Sequence, residues 1–522
     1  MSDIKATPEC GSEKSVGIRE DIEKDIGLPA TDIEEIKSEG PKKELTTSGD
    51  RALVLMDLDN GLIGWESDED PENPTNWTFA QKWTLMTFVM AMSTFSPMAS
   101  SLCAPGTSLT LADFNLTSKT VGTLSISIYV LGYAVGPLFL APLSEMYGRV
   151  PVVCASSAFF NAFILGSGFV QNMPGLIIMR LLAGIGGSAI MTIGSAIIGD
   201  VFLAHQRAAA SFIVIGTPSL APVVGPIAGG FISQYLGWRW AYWILVMGSG
   251  PLNLAMYFFM KESNHPTILS KKTKKLRKSL GREDLHSQLE MRMSPREVLV
   301  RSIVRPVKFL FRSPIVFLVS MYVSIMYGTL YLLFTTIPDV FQNVYHFEIQ
   351  YTGLAYIGLG LGMFIAIAVC FTLNDKSVVR LREKNGGVFE PEMRLATTVY
   401  FAPCMPVALF IYGWTARESV HWIVPCLSFI LYGFGLLGIF VPCQTYVVDA
   451  FLSTAASAVA ALVCLRCVFG AVLPLIGPKV YGSLGLGWGN SLLGFITLAV
   501  TPVPFAFLKW GGYVRKRYPV KL

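Results

Sequence analysis

The stretch "APLSEMYGRVPV" (Ala141–Val152) stands between two long apolar runs. Glu145 and Arg149 bracket Gly148, and Pro151 follows. Glycine permits a tight turn, and proline suits the first turn of a new helix. The segment is too short to be a domain. It predicts a charged hinge between two membrane-crossing helices. A Glu–Arg pair in such a turn can bond to the ends of neighbouring helices and hold one conformation.

The composition agrees with a membrane setting. Of 522 residues, 52% are hydrophobic and 15% charged, and the mean hydropathy is +0.51. Soluble domains carry about 25% charged residues, so the chain is a polytopic membrane protein. Its net charge of +5 conceals an asymmetry: residues 1–82 hold 20 acids and 9 bases, which leaves the rest markedly basic. Those bases sit in short loops between apolar spans, which argues against nucleic acid as a partner. Cys464 and Cys467 have redox or metal spacing, but no second pair accompanies them. They read as unpaired membrane cysteines. The chain starts polar and acidic, unlike a cleavable signal peptide.

Windows of about 20 apolar residues recur twelve times. They cover 83–103, 121–142, 151–170, 174–198, 209–233, 238–260, 314–337, 351–373, 395–415, 421–446, 455–480 and 488–510. The fold class is therefore all-α membrane protein, with twelve transmembrane helices in two six-helix halves. The expected domains are an acidic, mostly disordered tail (1–82), a first half (83–260), a basic linker (261–312), a second half (313–510) and a C-terminal tail (511–522). Disorder is expected over 1–60. The Trp-rich segment Trp65–Trp83 suits the membrane surface. The linker carries "KKTKKLRK" (Lys271–Lys278), and the loops on the opposite side are nearly free of bases. The positive-inside rule then places both termini, the linker and the hinge in the cytosol, with anionic membrane lipid as a contact.

"LIIMRLLAGIGGS" (Leu176–Ser188) puts Arg180 inside the fourth span. A charge there is costly unless it is paired or faces water, which marks a functional candidate; a snorkelling interfacial arginine is the plainer alternative. "APVVGPIAGG" (Ala221–Gly230) puts Gly225 and Pro226 in the fifth span, with Gly229 and Gly230 offering a flat face for close packing.

Taken together, these stretches resemble the major facilitator superfamily, and within it the fungal twelve-span drug:proton antiporters of multidrug, polyamine and secondary-metabolite exporter type. Leu143, Gly148 and Arg149 match the superfamily's loop motif G-x-L-x-D-x-x-G-R-K. Ala141, Glu145 and Val150 depart from it, and the lost basic residue could weaken the latch. Arg180 opens the pattern R-x-x-x-G-x-G, and Gly225, Pro226, Gly229 and Gly230 match the fifth-span antiporter motif. "DPENPTNW", "GWRWAYW", "PEMRLATT", "YVVDAF" and "AASAVAALVCLR" resemble blocks of the same exporters. The likeness covers roughly residues 65–518. It implies a proton-coupled secondary active exporter of a small amphipathic compound, working by alternating access. A facilitator or importer of a small organic acid, and a membrane sensor without turnover, are the alternatives.

The resemblance implies proton-coupling and gating roles for Arg180, Glu145, Arg149, Gly148, Gly225, Pro226, Gly229 and Gly230. Arg466, within the eleventh span, is a second candidate, with Asp449 as a partner near the span's end. Tyr327, Tyr331 and Thr335 in the seventh span, Ser93 and Thr94 in the first, and Tyr432 in the tenth are the substrate-binding candidates. Such a lining suits amphipathic, aromatic molecules, though tyrosines also serve as packing. Asp200, Asp339, Asp375 and Asp449 sit at span ends or in loops, which disfavours a polycation. No catalytic set, metal spacing or nucleotide loop is present, so no cofactor and no enzymatic activity are expected. The expected partners are a small-molecule substrate, protons and lipid, with a functional monomer. Asn115 begins a sequon on a short non-cytosolic loop and is a weak glycosylation candidate. The plasma membrane is the expected location, and the vacuolar membrane the alternative.

Overall fold

The computed structural model describes residue 56 and residues 61–517, except 68, 288, 290–293, 452 and 453; for 204–217, 295, 374, 375 and 516 it describes the backbone alone. Apart from Met56, the tail read as disordered, 1–60, lies outside the described residues.

Six long helices form the first half: α1 (Phe79–Ser101), α3 (Lys119–Tyr147), α4 (Arg149–Phe169), α5 (Met173–Val201), α6 (Ala204–Tyr235) and α7 (Trp238–Phe259), with a short α2 (Thr107–Asp113) after α1. Their starts follow local chemistry. Thr78 and Gln81 form a capping box at α1, and the Asn172 side chain accepts from Gly175 N at α5. The second half comprises α10 (Pro314–Asn343), α11 (Ile349–Thr352), α12 (Tyr356–Lys384), α13 (Thr398–Phe401), α14 (Cys404–Thr415), α15 (Ile423–Ala450), α16 (Ala455–Val500) and α17 (Pro502–Arg517). Gly485, at φ 71°, splits α16 into two crossing arms, because a helix cannot continue through a left-handed residue. α17 prolongs the second arm into the expected C-terminal tail.

Among the described residues, eight continuous helical stretches are long and apolar enough to cross a membrane, the last of them spanning Ala455–Arg515 and holding two crossings. α1, α6 and α7 add 23, 32 and 22 residues, and a crossing needs about 20. The twelve crossings thus correspond to the twelve apolar windows. The ninth is interrupted, with a 3-10 turn (Pro391–Ala396) and α13 preceding α14. The eighth runs on to Lys384 as helix, where the sequence suggested a loop.

The halves repeat one packing device. In the first, the second and fourth spans (α3, α5) pack through glycines: Gly184 abuts the Tyr129 carbonyl, and a Cβ on Gly132 would lie 2.6 Å from Leu181 O. In the second, the corresponding pair (α12, α15) packs Gly362 on Ile430 O and Gly433 on Leu359 O. Lipid supplies no hydrophobic force between helices, so close backbone approach at small residues carries the association. Between halves, α3 runs along α16 and α6 along α12.

The linker is not a plain polar loop. It holds α8 (His265–Leu280) and α9 (Pro295–Arg312), and α9 packs on both α3 and α16. The segment before α1 docks on α8. β1 (Leu62–Ile63) pairs in parallel with β2 (His286–Ser287), and Trp65 is buried against the His265 ring. Lys272 meets Glu66 at 2.9 Å, Asp70 at 3.4 Å and Glu72 at 3.5 Å. Asp70 also accepts from the Glu66 and Glu72 amides at 3.0 and 2.8 Å.

Burial pushes the Asp70 carboxyl up, but those amides and the Lys272 ammonium outweigh it and hold it below the usual carboxylate range. A carboxyl whose pKa falls on folding stabilises fully above its unfolded value, and that contribution is lost as pH falls through the folded one. Amide-exchange protection over 62–77, corrected for intrinsic rates, should therefore be constant from pH 8 to about 5 and collapse only below about pH 4. Asp70→Asn should remove it throughout. Loss of protection near pH 6 in the unmodified protein would contradict this anchor.

Candidate functional site

The hinge between α3 and α4 is a latch with partners from two other places in the chain. Gly148 sits at φ 105°, and a Cβ there would collide with the Glu262 carboxylate. Arg149 donates through Nε to Asp200 Oδ2 at 3.2 Å, at the end of α5, and through Nη1 to Ser144 Oγ at 2.7 Å. Glu262, just after α7, accepts from the amides of Arg149 (2.9 Å), Val150 (3.2 Å), Ser263 (3.1 Å) and Asn264 (2.9 Å). Orphan amides at a helix start favour such a carboxylate. The sequence pointed to Glu145 as the working acid. Glu145 is exposed at the surface yet stays within electrostatic reach of Arg149 and Asp200; the hydrogen bonds of Arg149 to carboxylates go to Asp200 and Glu262. Both are lone acids at span ends, the signal by which they could have been found.

The second half carries a counterpart. Arg394 Nε donates to Asp449 Oδ2 at 2.9 Å, and Arg515 Nε to Glu392 Oε1 at 3.1 Å. Asp449, at the end of α15, therefore holds Arg394 and not Arg466. The block "PEMR" supplies one member of each pair.

Arg180 is completely buried, which removes the snorkelling alternative. Its Nη2 donates to Ala99 O (3.3 Å) and Ser100 O (3.1 Å), and its Nη1 to Tyr242 Oη (3.3 Å) and Cys103 Sγ (3.1 Å). The rings of Tyr129 and Tyr242 flank the guanidinium at 5.5 and 5.8 Å. Ala99 and Ser100 end α1, where carbonyls lack helical partners and the helix dipole is negative. Among the described residues Arg180 forms no ion pair. A helix end and two aromatic faces balance its charge in place of a carboxylate.

From there a polar line crosses between the halves. Ser100 Oγ meets Tyr331 Oη at 3.0 Å, and Tyr327 Oη donates to Tyr331 Oη at 3.5 Å. Arg466 lies with its guanidinium carbon 4.5 Å from the Tyr327 ring centre and 4.7 Å from that of Phe440. The first half adds a cluster that the sequence reading missed: Ser96 Oγ bonds to Gly187 O (2.8 Å), and Tyr129 Oη donates to Ser96 O (2.8 Å), with Tyr133 alongside. Tyr129 and Tyr133 are four apart, the same spacing that singled out Tyr327 and Tyr331.

The other candidates are tied locally. Ser93 Oγ and Thr94 Oγ1 donate back to Met90 O at 3.0 and 2.8 Å, and Thr335 Oγ1 to Leu332 O at 2.9 Å. Tyr432, buried, donates to Met326 O at 3.1 Å and joins α15 to α10. Asn115 is exposed after α2 at φ 56°. Among the described residues no cluster suits a metal ion.

At the end away from the linker the halves meet. A Cβ on Gly225 would lie 2.9 Å from Met98 O, and Gly229 abuts Leu102 O. A Cβ on Gly230 would lie 3.0 Å from the carbonyls of Ile349 and Gln350, and Gly353 abuts Pro226 O. The glycine face of α6 thus fits between α1 of its own half and α11 of the other. Lys119 and Asp339 bridge the same end at 2.9 Å.

Comparison with known proteins matches residues 84–474 to the family model described as Major Facilitator Superfamily. The MFS-type transporter penM of Penicillium rubens is 41% identical, covering 99% of this chain and 98% of its own. The efflux pump radE of Floropilus chiversii is 39% identical over 89% of this chain and 87% of its own. Among solved structures, the xylose transporter XylE from E. coli, in a partially occluded inward-open conformation, aligns with a TM-score of 0.59 over 82% of this chain and 99% of its own, at 14% identity, a likeness of fold.

The latch geometry separates three acids by experiment. Removing a hydrogen-bonded, partly buried carboxylate that leaves amides unanswered costs about 1–3 kcal/mol, whereas an exposed substitution costs under about 0.5 kcal/mol. Glu262→Ala and Asp200→Ala should lower the thermal unfolding midpoint of purified protein clearly, and Glu145→Ala scarcely at all. Equal losses from all three would return Glu145 to the latch.

Proposed function

The chain belongs to the major facilitator superfamily, and we propose that it is a proton-coupled exporter of a small amphipathic organic compound, working by alternating access. The observation that carries the reading is Arg180, a charge buried between α1, α5 and α7 and joined through Ser100 to Tyr331 of the other half. A structural span needs no such charge. Relatives named as an MFS-type transporter and an efflux pump support transport of organic compounds, with export as the direction.

In this reading the two halves rock against each other. The α6 glycine face with α11, and the Lys119–Asp339 bridge, close the non-cytosolic end. The Arg149–Asp200 and Arg394–Asp449 pairs hold the cytosolic ends of each half. Both termini and the basic linker face the cytosol, as the distribution of Lys and Arg supports, and the plasma membrane is the working location. Tyr327 and Tyr331 face the transported compound. A positive charge disfavours proton uptake by any group beside it. Proton occupancy of the seam near Arg180 therefore depends on which end admits water, and this couples the gradient to the rocking. The Arg180 neighbours are hydroxyls, carbonyls and a thiol, so proton sites in the seam are water-linked.

The test is efflux from vesicles under an imposed pH gradient, using tracer amphiphiles of neutral, cationic and anionic kinds. At least one tracer should move with the unmodified protein and stop when a protonophore collapses the gradient. Arg180→Ala, at matched protein levels, should reduce driven efflux to background. Arg180→Lys should keep part of it, because the charge survives while the planar fork of donors is lost. Unchanged driven efflux in Arg180→Ala would overturn the coupling role.

A further inference from the structure

Arg466 has no place in the latches. Asp449, its expected partner, is held by Arg394. Among the described residues no carboxylate lies within salt-bridge distance of Arg466, and its Nε, like that of Arg180, is buried with no hydrogen-bond partner. The residue nevertheless sits well inside its span, eleven positions after α16 begins. A cation in that setting is costly when left unanswered. At Arg180 the comparable cost is met by two helix-end carbonyls and a tyrosine hydroxyl. Arg466 has the aromatic part of that arrangement and the neighbouring Cys467 thiol, without the carbonyls.

The aromatic part is informative by its shape. Tyr327 of α10 and Phe440 of α15 lie against the guanidinium at 4.5 and 4.7 Å. Aromatic rings at these distances answer part of the charge of a guanidinium but accept little from its N–H groups, and that fork of donors matches a planar oxyanion with two parallel hydrogen bonds. Gly470, one turn on, makes room for this: a Cβ there would lie 3.1 Å from Tyr327 Cδ1 and 3.2 Å from Val130 Cγ1 of α3. Cys464 Sγ lies 3.2 Å from Ala134 O, so this stretch of α16 borders the other half. Arg466, Tyr327 and Phe440 each keep part of their surface accessible, whereas Arg180, Tyr331 and Tyr129 are closed off. The partly open groups therefore mark the end of the polar line where a ligand can enter.

We infer that Arg466, set between Tyr327 and Phe440, is an anion subsite, and that the transported compound is an amphipathic organic anion with a carboxylate or similar planar oxyanion beside an apolar or aromatic body. The oxyanion accepts from the Arg466 edge, and the body lies along the Tyr327 ring. The inference rests on the export reading for its route, but it concerns binding and is tested without transport.

The probe pair is 2-naphthoate and 2-naphthamide, nearly the same in shape and different in charge. Full-length protein in lipid nanodiscs is titrated with each, and binding is read as the rise in unfolding temperature and by direct calorimetry. The expected result is binding of naphthoate and not of naphthamide. Arg466→Gln should abolish the naphthoate response. Arg466→Lys, the safer variant for folding, should weaken it by about tenfold or more, since the charge remains and the fork is lost. Equal binding of both probes, binding of neither, or unchanged naphthoate affinity in both variants would overturn the anion subsite. Proton-driven efflux of a neutral tracer with equal binding of both probes would sink this inference and leave the export reading standing.

Discussion

A guanidinium inside a membrane must be answered by something, and Arg180 is answered without a carboxylate. The last carbonyls of α1, the Tyr242 hydroxyl of α7, the Cys103 thiol and the Tyr129 ring of α3 surround it. One side chain of α5 therefore holds the ends or faces of three other helices. Two of those residues have a second engagement. Ser100 reaches Tyr331 across the halves, and Tyr129 reaches Ser96. The glycines of α5 set the distance: Gly184 against Tyr129 and Gly187 against Ser96 bring the backbones close enough for these contacts. A low-dielectric interior strengthens such hydrogen bonds and makes each unpaired group costly, so the arrangement holds as a unit.

The two halves use similar parts in different ways. Each ties an arginine of its linker-side turn to an acid ending its fourth span, Arg149 to Asp200 and Arg394 to Asp449. Each packs its second and fourth spans through glycine. They part company in the interior. Arg180 is closed in, with carbonyls, a hydroxyl and a thiol on its terminal nitrogens, whereas Arg466 is partly accessible and lies against two aromatic rings; the Nε of each is buried with no hydrogen-bond partner. That asymmetry gives the seam a fixed positive end and a receptive one.

The crossings were legible because hydropathy is local: a window needs no knowledge of its neighbours. Arg180 was legible for the same reason, as a charge in an apolar run. The partners of Arg149 were not, because Asp200 and Glu262 stand 51 and 113 positions away and look like ordinary span-end acids. The segment 61–77 was expected at the membrane surface from Trp65 onward, and its docking was not legible either. Its acids and prolines resemble a solvated stretch, but Asp70 is buried and Lys272, itself one of a run of bases, is what it answers. The linker helices α8 and α9 were obscured by charge, since a basic amphipathic helix has low mean hydropathy. The tyrosine pair of α10 was recognised by its four-residue spacing, and the equivalent pair of α3 was not sought.

The central claim is that these halves are two bodies that separate at the end away from the linker and close again. Spin labels at the exposed positions Ser118 and Asn343, one in each half at that end, report it directly by pulsed distance measurement in nanodiscs. The account predicts a short distance as the main population and a longer one that grows as pH is changed. It also predicts that Gly230→Leu, which forces a side chain against the Ile349 and Gln350 carbonyls, shifts the balance to the longer distance. A single distance, unmoved by pH and by Gly230→Leu, would contradict it.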